Sequence, residues 1–356
     1  MNLNTGNWQY ALAQPNATAL LKQHPQDFVV EEELGYTLTG DGEHQFLYIE
    51  KINTNTAFVA EQLAKFTGLP LRNVTYAGRK DKFALTRQWF GLHAPGQPDF
   101  DFSAFNLEGV SVLTHTRHNK KLRTGQLKGN RFTLQLRDVT DTAQAEARLA
   151  TLAQSGVPNY YGEQRFGVMR TDSTGQIVKG GNLALAEKMV QGEAIRNRNK
   201  RSMAISALRS WLFNEFISAR IAAGTFNQVI AGDALILSGS NSFFINDGQQ
   251  HNLTERYAAG DISPSAPLWG KGELATREDA YQAESNLSAE HGDVTACLEG
   301  CGLKQERRAI KIWPGQLEWH AGGDTLTLSF SLLAGCFATS VLRECVVTEQ
   351  HTPSDR

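Results

Sequence analysis

The residues best suited to chemistry lie in segment 73–92, NVTYAGRKDKFALTRQWFGL, where one acid is surrounded by cations. The acid is Asp81, and its near neighbours are Arg79, Lys80, Lys82 and Arg87. Opposite charges nearby favour an ionised carboxylate, and a position on a polar loop spares it a large desolvation cost. A carboxylate held among cations that could also bind phosphates suggests chemistry on an anionic polymer. By itself, the segment's composition is more typical of an ordinary charged turn.

Two strands and a helix are predicted to position this loop. Strand-type residues fill 74–77 and 87–92, and the polar connection 78–82 joins them. Just upstream, TAFVAEQLAKF has apolar residues at near-helical spacing, with Thr54 or Asn55 as a candidate cap and Gly68 as a stop signal. The sequence therefore predicts a helix that ends shortly before the first of the two strands.

A long hairpin is predicted further upstream. Strand-type residues occupy 26–34 and 45–52, and the segment between them, GYTLTGDGEH, is rich in turn residues. Two strands separated by such a segment are typical of a hairpin with a long connection.

A local basic tract lies between residues 109 and 137, which contain no acid. Such a tract is the electrostatic footprint of phosphate binding, although a bare charge run is more often a solvated loop. It leads into the alternating segment RFTLQLRDV, and Phe132 at the mouth of that strand could stack on an unpaired base, worth ~1–3 kcal/mol. The cations of the tract are Arg117, Lys120, Lys121, Arg123, Lys128, Arg131 and Arg137.

Composition and missing motifs narrow the class of protein. With 356 residues, 41% hydrophobic content and a net charge of −2, the chain has the character of a soluble protein without a global positive field. No apolar run approaches a membrane span, and no basic start followed by an apolar run marks the N-terminus, so we expect a cytoplasmic protein without membrane association. Four cysteines with a single close pair argue against a zinc site. Phosphate-loop, zinc-hydrolase and serine-esterase motifs are missing, which disfavours nucleotide hydrolysis, zinc hydrolysis and serine-esterase chemistry.

The order of elements indicates a discontinuous architecture. A strand-rich first part is followed by a helix-rich middle, and the end returns to strands with GDTLTLSFSLL (323–333) and a closing helix in 334–345. A middle segment of about 150 residues inserted into an α+β domain explains this order, because surface loops tolerate insertions. Two independent domains in series also fit the order.

Four segments together carry a resemblance to TruD-type pseudouridine synthases. The stretch 78–88, GRKDKFALTRQ, resembles the family's catalytic motif G-x-K-D-x-x-A-x-T-x-Q around its essential aspartate. Segment 22–32, KQHPQDFVVEE, resembles the motif K-x-x-P-x-D-F-x-V-x-E. GNRF at 129–132 and NYYGEQRFG at 159–167 match two further motifs in the same order. The combination is specific where each piece alone is not.

The resemblance implies a tRNA pseudouridine synthase, an isomerase that converts uridine to pseudouridine in tRNA, at position 13 in the bacterial family. It implies an α+β catalytic core, with a mixed, mainly antiparallel sheet and flanking helices, interrupted by an inserted α+β TRUD domain. We expect the catalytic domain to comprise residues 1–155 and 305–356, and the TRUD domain residues 156–304. A monomer that needs no cofactor and takes tRNA as its partner is expected.

The same resemblance assigns site residues. Asp81 is the essential acid, Phe132 stacks on the target base, and Asn130 hydrogen-bonds near it. Lys22 is the cationic partner of Asp81, and Phe28 lines the pocket. RNA phosphate contacts are expected from cations of the loop and the basic tract: Arg79, Lys80, Arg117, Lys120, Lys121, Arg123 and Lys128.

Two other functions fit parts of the pattern. A non-catalytic RNA-binding or chaperone protein would use the same basic surfaces without Asp81 chemistry. A hydrolase of the glycosidic bond would need a water-activating partner and would release free uracil. The sequence leaves open whether Asp81 attacks covalently or removes a proton, and which tRNA species are modified.

Overall fold

The computed structural model describes residues 3–167, 170–171, 177–178 and 180–350. The helices are α1 (Thr56–Thr67), α2 (Thr142–Ser155), α3 (Gly181–Val190), α4 (Arg198–Ala222), α5 (Leu253–Ala258), α6 (Glu278–Glu290), α7 (Gly292–Gly300) and α8 (Ala338–Cys345). The strands are β1 (Thr18–Leu21), β2 (Phe28–Glu33), β3 (His44–Ile52), β4 (Val74–Tyr76), β5 (Leu85–His93), β6 (Val110–His118), β7 (Gly129–Arg137), β8 (Val157–Pro158), β9 (Arg170–Thr171), β10 (Ile177–Val178), β11 (Ala234–Leu237), β12 (Phe243–Ile245), β13 (Ile262–Leu268), β14 (Glu306–Ala309), β15 (Lys311–Ile312), β16 (Gly315–Gly322), β17 (Thr325–Leu333) and β18 (Val347–Gln350).

The chain divides into two compact units, and each is discontinuous in sequence. The sheet unit comprises Pro15–Leu149, Pro314–Gly335 and Cys345–Arg356. The helical unit comprises Met1–Gln14, Ala150–Trp313 and Cys336–Glu344. The short segments Met1–Gln14 and Cys336–Glu344 thus group with the central part of the chain.

A ten-stranded sheet forms the centre of the sheet unit. Its main path runs β16-β17-β7-β2-β5-β3-β6, with β1 beside β7 and β18, and β4 beside β5. The pairs β2–β5 and β1–β18 are parallel, and the remaining pairs are antiparallel. The predicted α+β class with a mixed, mainly antiparallel sheet is confirmed.

The predicted hairpin between 26–34 and 45–52 is wrong. Both segments are strands, β2 and β3, but β5 lies between them and pairs with each. After β3 the chain forms α1, β4 and the Asp81 loop, and only then β5. This strand lies between β2 and β3 and is parallel to β2. Alternating apolar residues and turn residues predict where strands and chain reversals lie, but they do not predict which strands pair with each other.

The elements around Asp81 match their sequence signals. α1 begins after Asn55 and is followed by Gly68 in the left-handed conformation at φ 71°, which glycine adopts without a steric cost. β4 and β5 are antiparallel, with Val74 opposite Leu92. The face of α1 that includes Val59 and Leu63 packs in a buried cluster with residues of β3, β4 and β5. This packing fixes the start of α1 and both ends of the loop between β4 and β5.

Helices dominate the core of the helical unit. The long helix α4 contributes Leu208, Trp211, Leu212 and Phe213 to a buried cluster that also takes residues from α3 and α7. Beside them, β12, β11, β13 and β14 form a four-stranded antiparallel sheet. Within the described ranges, no helix combines the length and the apolar character needed to cross a bilayer.

Histidines at one end of the large sheet make its stability depend on pH. His44 is paired in register with His93 and with His118, and its ring stacks on His93 at 4.7 Å. Burial lowers the pKa of His44 and of His118 from the ordinary 6.5, and neighbouring cations reinforce both shifts. The unfolded chain therefore binds protons more readily, so the free energy of unfolding falls as the pH drops below about 6.5.

We expect urea denaturation at pH 7.5 and pH 5.5 to show this loss of stability. His44→Phe keeps a ring at the stack and removes one titrating group, and the buried Nδ1 of His44 has no hydrogen-bond partner in the part of the chain that the structure describes. This variant should lose less stability on acidification than the parent protein. The exposed His115→Phe should retain the parent's pH dependence. An identical pH dependence in His44→Phe would show that His44 does not contribute.

Candidate active site

One row of side chains crosses the large sheet beneath the Asp81 loop. The strand registers place Lys51, Thr86, Val30, Phe132 and Phe330 successively opposite one another on β3, β5, β2, β7 and β17. Residues directly opposite across paired strands point to the same face of the sheet. The sheet therefore presents a cation at one end of this row and two aromatic rings at the other.

The Asp81 loop is held by buried polar groups from α1 and β5. Thr56 Oγ1 donates to Gln88 Oε1 at 2.9 Å and accepts a hydrogen bond from the Lys80 backbone N–H at 3.1 Å. Gln88 Nε2 donates to the carbonyl of Gly78 at 3.1 Å. Thr56 and Gln88 are both buried, so these bonds are shielded from water. The loop is consequently ordered by its own motif residues and by the first turn of α1.

Lys22 pairs with the Asp81 carboxylate. Its Nζ lies 2.7 Å from Asp81 Oδ2, and the two side chains are 13% and 26% exposed. The same ammonium lies 4.0 Å from the centroid of the Phe28 ring. Lys22 has φ 62°, a left-handed conformation that costs a lysine of order 1–3 kcal/mol and that persists where surrounding contacts enforce it. Strained residues of this kind cluster at functional sites.

Three aromatic rings lie together beside this ion pair. Phe28 meets Phe132 edge-on at 6.3 Å between ring centroids. Phe132 stacks on Phe330 at 5.5 Å with an interplanar angle of 28°. Asn130, two residues before Phe132 on β7, is half-buried, and its buried Oδ1 has no hydrogen-bond partner among the described residues. A buried, unpartnered amide oxygen costs free energy and is typical of a group reserved for a ligand.

Asp81 and the four residues assigned to its pocket thus occur together in the sheet unit. Lys22 contacts both Asp81 and Phe28, Phe28 contacts Phe132, and Asn130 shares the strand face of Phe132. Their roles stay a prediction, which is developed below.

The cations assigned to RNA phosphates fall into two groups. Lys80 is 8% exposed and pairs with the buried Glu32 at 2.9 Å, while Arg117 pairs with Asp99 at 2.7 Å and donates to the carbonyls of Gly42 and Gln97. These two cations already have internal partners. The others are exposed: Arg79, Lys120, Lys121, Arg123 and Lys128.

Sequence reasoning missed three contributors to this region. Lys51 is fully buried and donates from Nζ to the Asp81 carbonyl at 2.8 Å. Glu32 anchors Lys80 and also accepts the Trp89 backbone N–H at 2.8 Å. Phe330 is fully buried and stacks on Phe132 in the aromatic group. The signal for Lys51 was present, because it follows Leu47 and Ile49 at a spacing of two, on the apolar face of β3.

The described residues contain no group of three or more His, Cys, Asp or Glu side chains arranged to hold a metal ion. The expected absence of a metal stays a prediction.

The fold is shared with a solved structure. A chain from Methanosarcina mazei, whose description assigns it provisionally to tRNA pseudouridine synthase D (TruD), superposes with a TM-score of 0.70 over 95% of each chain, at 20% identity. At this identity the likeness concerns the fold.

Sequence comparison establishes the family. The family model described as tRNA pseudouridine synthase D (TruD) matches residues 4–201 and 188–345. A tRNA pseudouridine synthase D of Pseudoalteromonas atlantica is 52% identical over 347 residues, covering 98% of both chains. One from Aeromonas hydrophila is 44% identical over 342 residues, covering 96% of this chain and 94% of the relative. The chain belongs to the tRNA pseudouridine synthase D (TruD) family, and the predicted family is confirmed.

Proposed function

We propose that this protein isomerises uridine to pseudouridine in tRNA, at position 13, with Asp81 as the essential acid. The observation that carries the proposal is the pairing of Asp81 with Lys22 beside the group formed by Phe28, Phe132 and Phe330. Family membership supplies tRNA as the substrate class, since the relatives are named for that activity.

The reaction needs few groups. The N1–C1′ bond breaks, the uracil rotates, and C5 bonds to C1′; C5 loses a proton and N1 gains one, so atoms balance. A carboxylate can serve either by attacking carbon or by removing a proton. Lys22 orients the Asp81 carboxylate and compensates its charge in a partly buried setting.

The aromatic group and Asn130 would hold the base while it is detached. Uracil presents N–H donors and carbonyl acceptors, and an amide side chain can match either. The base would give the buried Oδ1 of Asn130 the hydrogen-bond partner that it does not have among the described residues. Phe132 would offer a flat apolar face to the base, and such stacking is worth ~1–3 kcal/mol.

The exposed cations would supply the affinity for RNA. Extruding a base from folded RNA costs a few kcal/mol, and phosphate contacts can offset that cost. Lys120, Lys121, Arg123 and Lys128 lie in the connection between β6 and β7, and Asn130 is the second residue of β7. Arg79 belongs to the Asp81 loop itself. We leave Lys80 and Arg117 out of this role because their charges are already paired.

We also propose the domain bounds, the location, the oligomeric state and the cofactor requirement of this protein. The catalytic domain comprises residues 1–155 and 305–356, with the TRUD domain at 156–304. The protein acts in the cytoplasm as a monomer and requires neither a metal nor a nucleotide cofactor.

The direct test incubates the purified protein with unmodified tRNA transcripts in EDTA, with spermidine to support tRNA folding, and maps pseudouridine by base-specific chemistry. We expect pseudouridine at position 13 without free uracil. Free uracil would indicate glycosidic hydrolysis. Absence of any product from all transcripts, despite tight binding, would favour a non-catalytic RNA-binding protein.

Phe132 and Lys120 should differ in their effect on activity. Phe132 is buried between two rings, so Phe132→Ala also removes core packing, which typically costs 3–5 kcal/mol of stability. Phe132→Leu is the cleaner variant, because it stays apolar and loses only the aromatic face. We expect kcat/KM to fall roughly 5- to 150-fold, corresponding to a stacking loss of ~1–3 kcal/mol.

The matched comparison is Lys120→Ala, which removes one exposed and screened phosphate contact and should change kcat/KM by less than about threefold. Equal losses in the two variants, measured well below their unfolding temperatures, would place Phe132 away from the target base.

A further inference from the structure

Lys51 is an unusual residue for the interior of a sheet. It lies near the end of β3, between Thr86 on β5 and Val110 on β6, and its side chain is among the largest that are fully buried. A buried ammonium is costly unless it is hydrogen-bonded and electrically compensated. An uncharged side chain of similar length would fill the same space, so packing does not explain a positive charge at this position.

The contacts of Lys51 point to the Asp81 loop. Its Nζ donates to the backbone carbonyl of Asp81 at 2.8 Å. The charged groups that face it are Asp81, which raises its pKa, and Lys80, which lowers it. Burial dominates and lowers the pKa of Lys51 to about 8. Glu32 compensates the positive charge of Lys80, so Asp81 is the acid whose charge acts on Lys51.

Two lysines therefore hold the same residue at different atoms. Lys22 binds the carboxylate from the partly exposed side, and Lys51 binds the main-chain carbonyl from within the sheet. Fixing the carbonyl restricts the rotation of the peptide that follows Asp81, and with it the direction in which the side chain leaves the backbone. A carboxylate needs such restriction if it is to meet a carbon atom in a productive geometry.

We propose that Lys51 is a positioning residue, which holds the Asp81 carbonyl so that the carboxylate stays aligned between Lys22 and the aromatic group. This inference rests on the proposed function, because alignment matters only if Asp81 reacts. Lys51 touches no substrate; it acts through Asp81. It should therefore affect the rate of the chemical step and leave tRNA affinity unchanged.

Two variants separate the hydrogen bond from the charge. Lys51→Met keeps a long side chain and removes both, whereas Lys51→Gln retains an N–H donor without the charge. We expect kcat to fall about 100-fold in Lys51→Met, the scale of a catalytic group displaced by about 1 Å, and less in Lys51→Gln. The dissociation constant for tRNA should stay within about twofold. Lys65→Met, on the exposed face of α1, should match the parent protein.

Unchanged kcat in a folded Lys51→Met variant would overturn the inference. So would a fall in tRNA affinity that accounts for the whole loss of activity, since that would indicate general disruption. Melting temperatures and near-ultraviolet circular dichroism establish whether each variant is folded.

A second measurement applies even if Lys51→Met fails to fold. NMR of protein carrying ¹³Cε-lysine follows the titration of Lys51, assigned with Lys51→Gln, in the parent protein and in Asp81→Asn. Because the Asp81 charge raises the pKa of Lys51, the asparagine variant should shift that titration to lower pH. An unchanged Lys51 titration in Asp81→Asn would refute the electrostatic coupling between Asp81 and Lys51. Failure of the parent protein to make pseudouridine would instead count against the proposed function.

Discussion

Asp81→Asn is expected to reduce pseudouridine formation by at least about a thousandfold while the protein still binds tRNA. Asparagine has the size of aspartate and can accept a hydrogen bond from Lys22 through its Oδ1, so the loop should keep its shape. What it loses is the anion, which both routes open to Asp81 require. The phosphate contacts come from other residues, so the dissociation constant for tRNA should change by less than about threefold. Single-turnover kinetics and filter binding on the same preparations measure the two quantities.

The control for this variant is an exposed carboxylate elsewhere in the sheet unit. Asp101 accepts hydrogen bonds from Ser103 at the start of a short turn, and Asp101→Asn should retain full activity. Retained isomerisation in Asp81→Asn would remove Asp81 from the mechanism and favour another acid. Loss of both activity and tRNA binding would indicate that Asp81 maintains the structure of the protein's RNA-binding surface.

The candidate site could be predicted from sequence because its residues lie in short contiguous motifs. Gly78, Asp81 and Gln88 fall within eleven residues, and the structure shows why the spacing matters: the Gln88 amide reaches back to the Gly78 carbonyl. The strands β4 and β5 and the helix α1 follow equally local signals. Their type is set by alternation, helical spacing and a glycine stop, none of which requires knowledge of distant contacts.

Pairings between distant segments could not be predicted in this way. The wrong hairpin between β2 and β3 shows the limit, since β5 enters the sheet between them from further along the chain. The spacing in β3 indicates that Lys51 is buried, but its partner could not be predicted, because that partner is a main-chain atom thirty residues away. The paired states of Lys80 and Arg117 also depend on remote acids, Glu32 and Asp99. A cation's position in the sequence does not show whether its charge is free for RNA.

Glu32→Ala should cause a large loss of stability. The carboxylate of Glu32 is fully buried, accepts from Lys80 Nζ at 2.9 Å through Oε1, and accepts the Trp89 backbone N–H at 2.8 Å through Oε2. Its removal leaves the Lys80 ammonium, which is 8% exposed, without its anion, and it leaves the Trp89 backbone N–H without its acceptor. Breaking one side of a buried pair typically costs 3–5 kcal/mol, and we expect a loss of that size in urea denaturation.

Activity should fall with this substitution even where the protein is folded, because Lys80 is adjacent to Asp81 and its unpaired ammonium will move toward water. Adding Lys80→Met to Glu32→Ala removes the stranded charge, so the double variant should recover part of the lost stability. Glu31→Ala on the opposite face of β2 is the matched control: its partner Arg87 is 33% exposed and keeps Glu50, so the loss should stay near 1 kcal/mol or below. If Glu32→Ala proved as mild as Glu31→Ala, the buried pair would not be what holds the Asp81 loop to β2. The loop would then depend on its other contacts, which include those with Thr56, Gln88, Lys51 and Lys22.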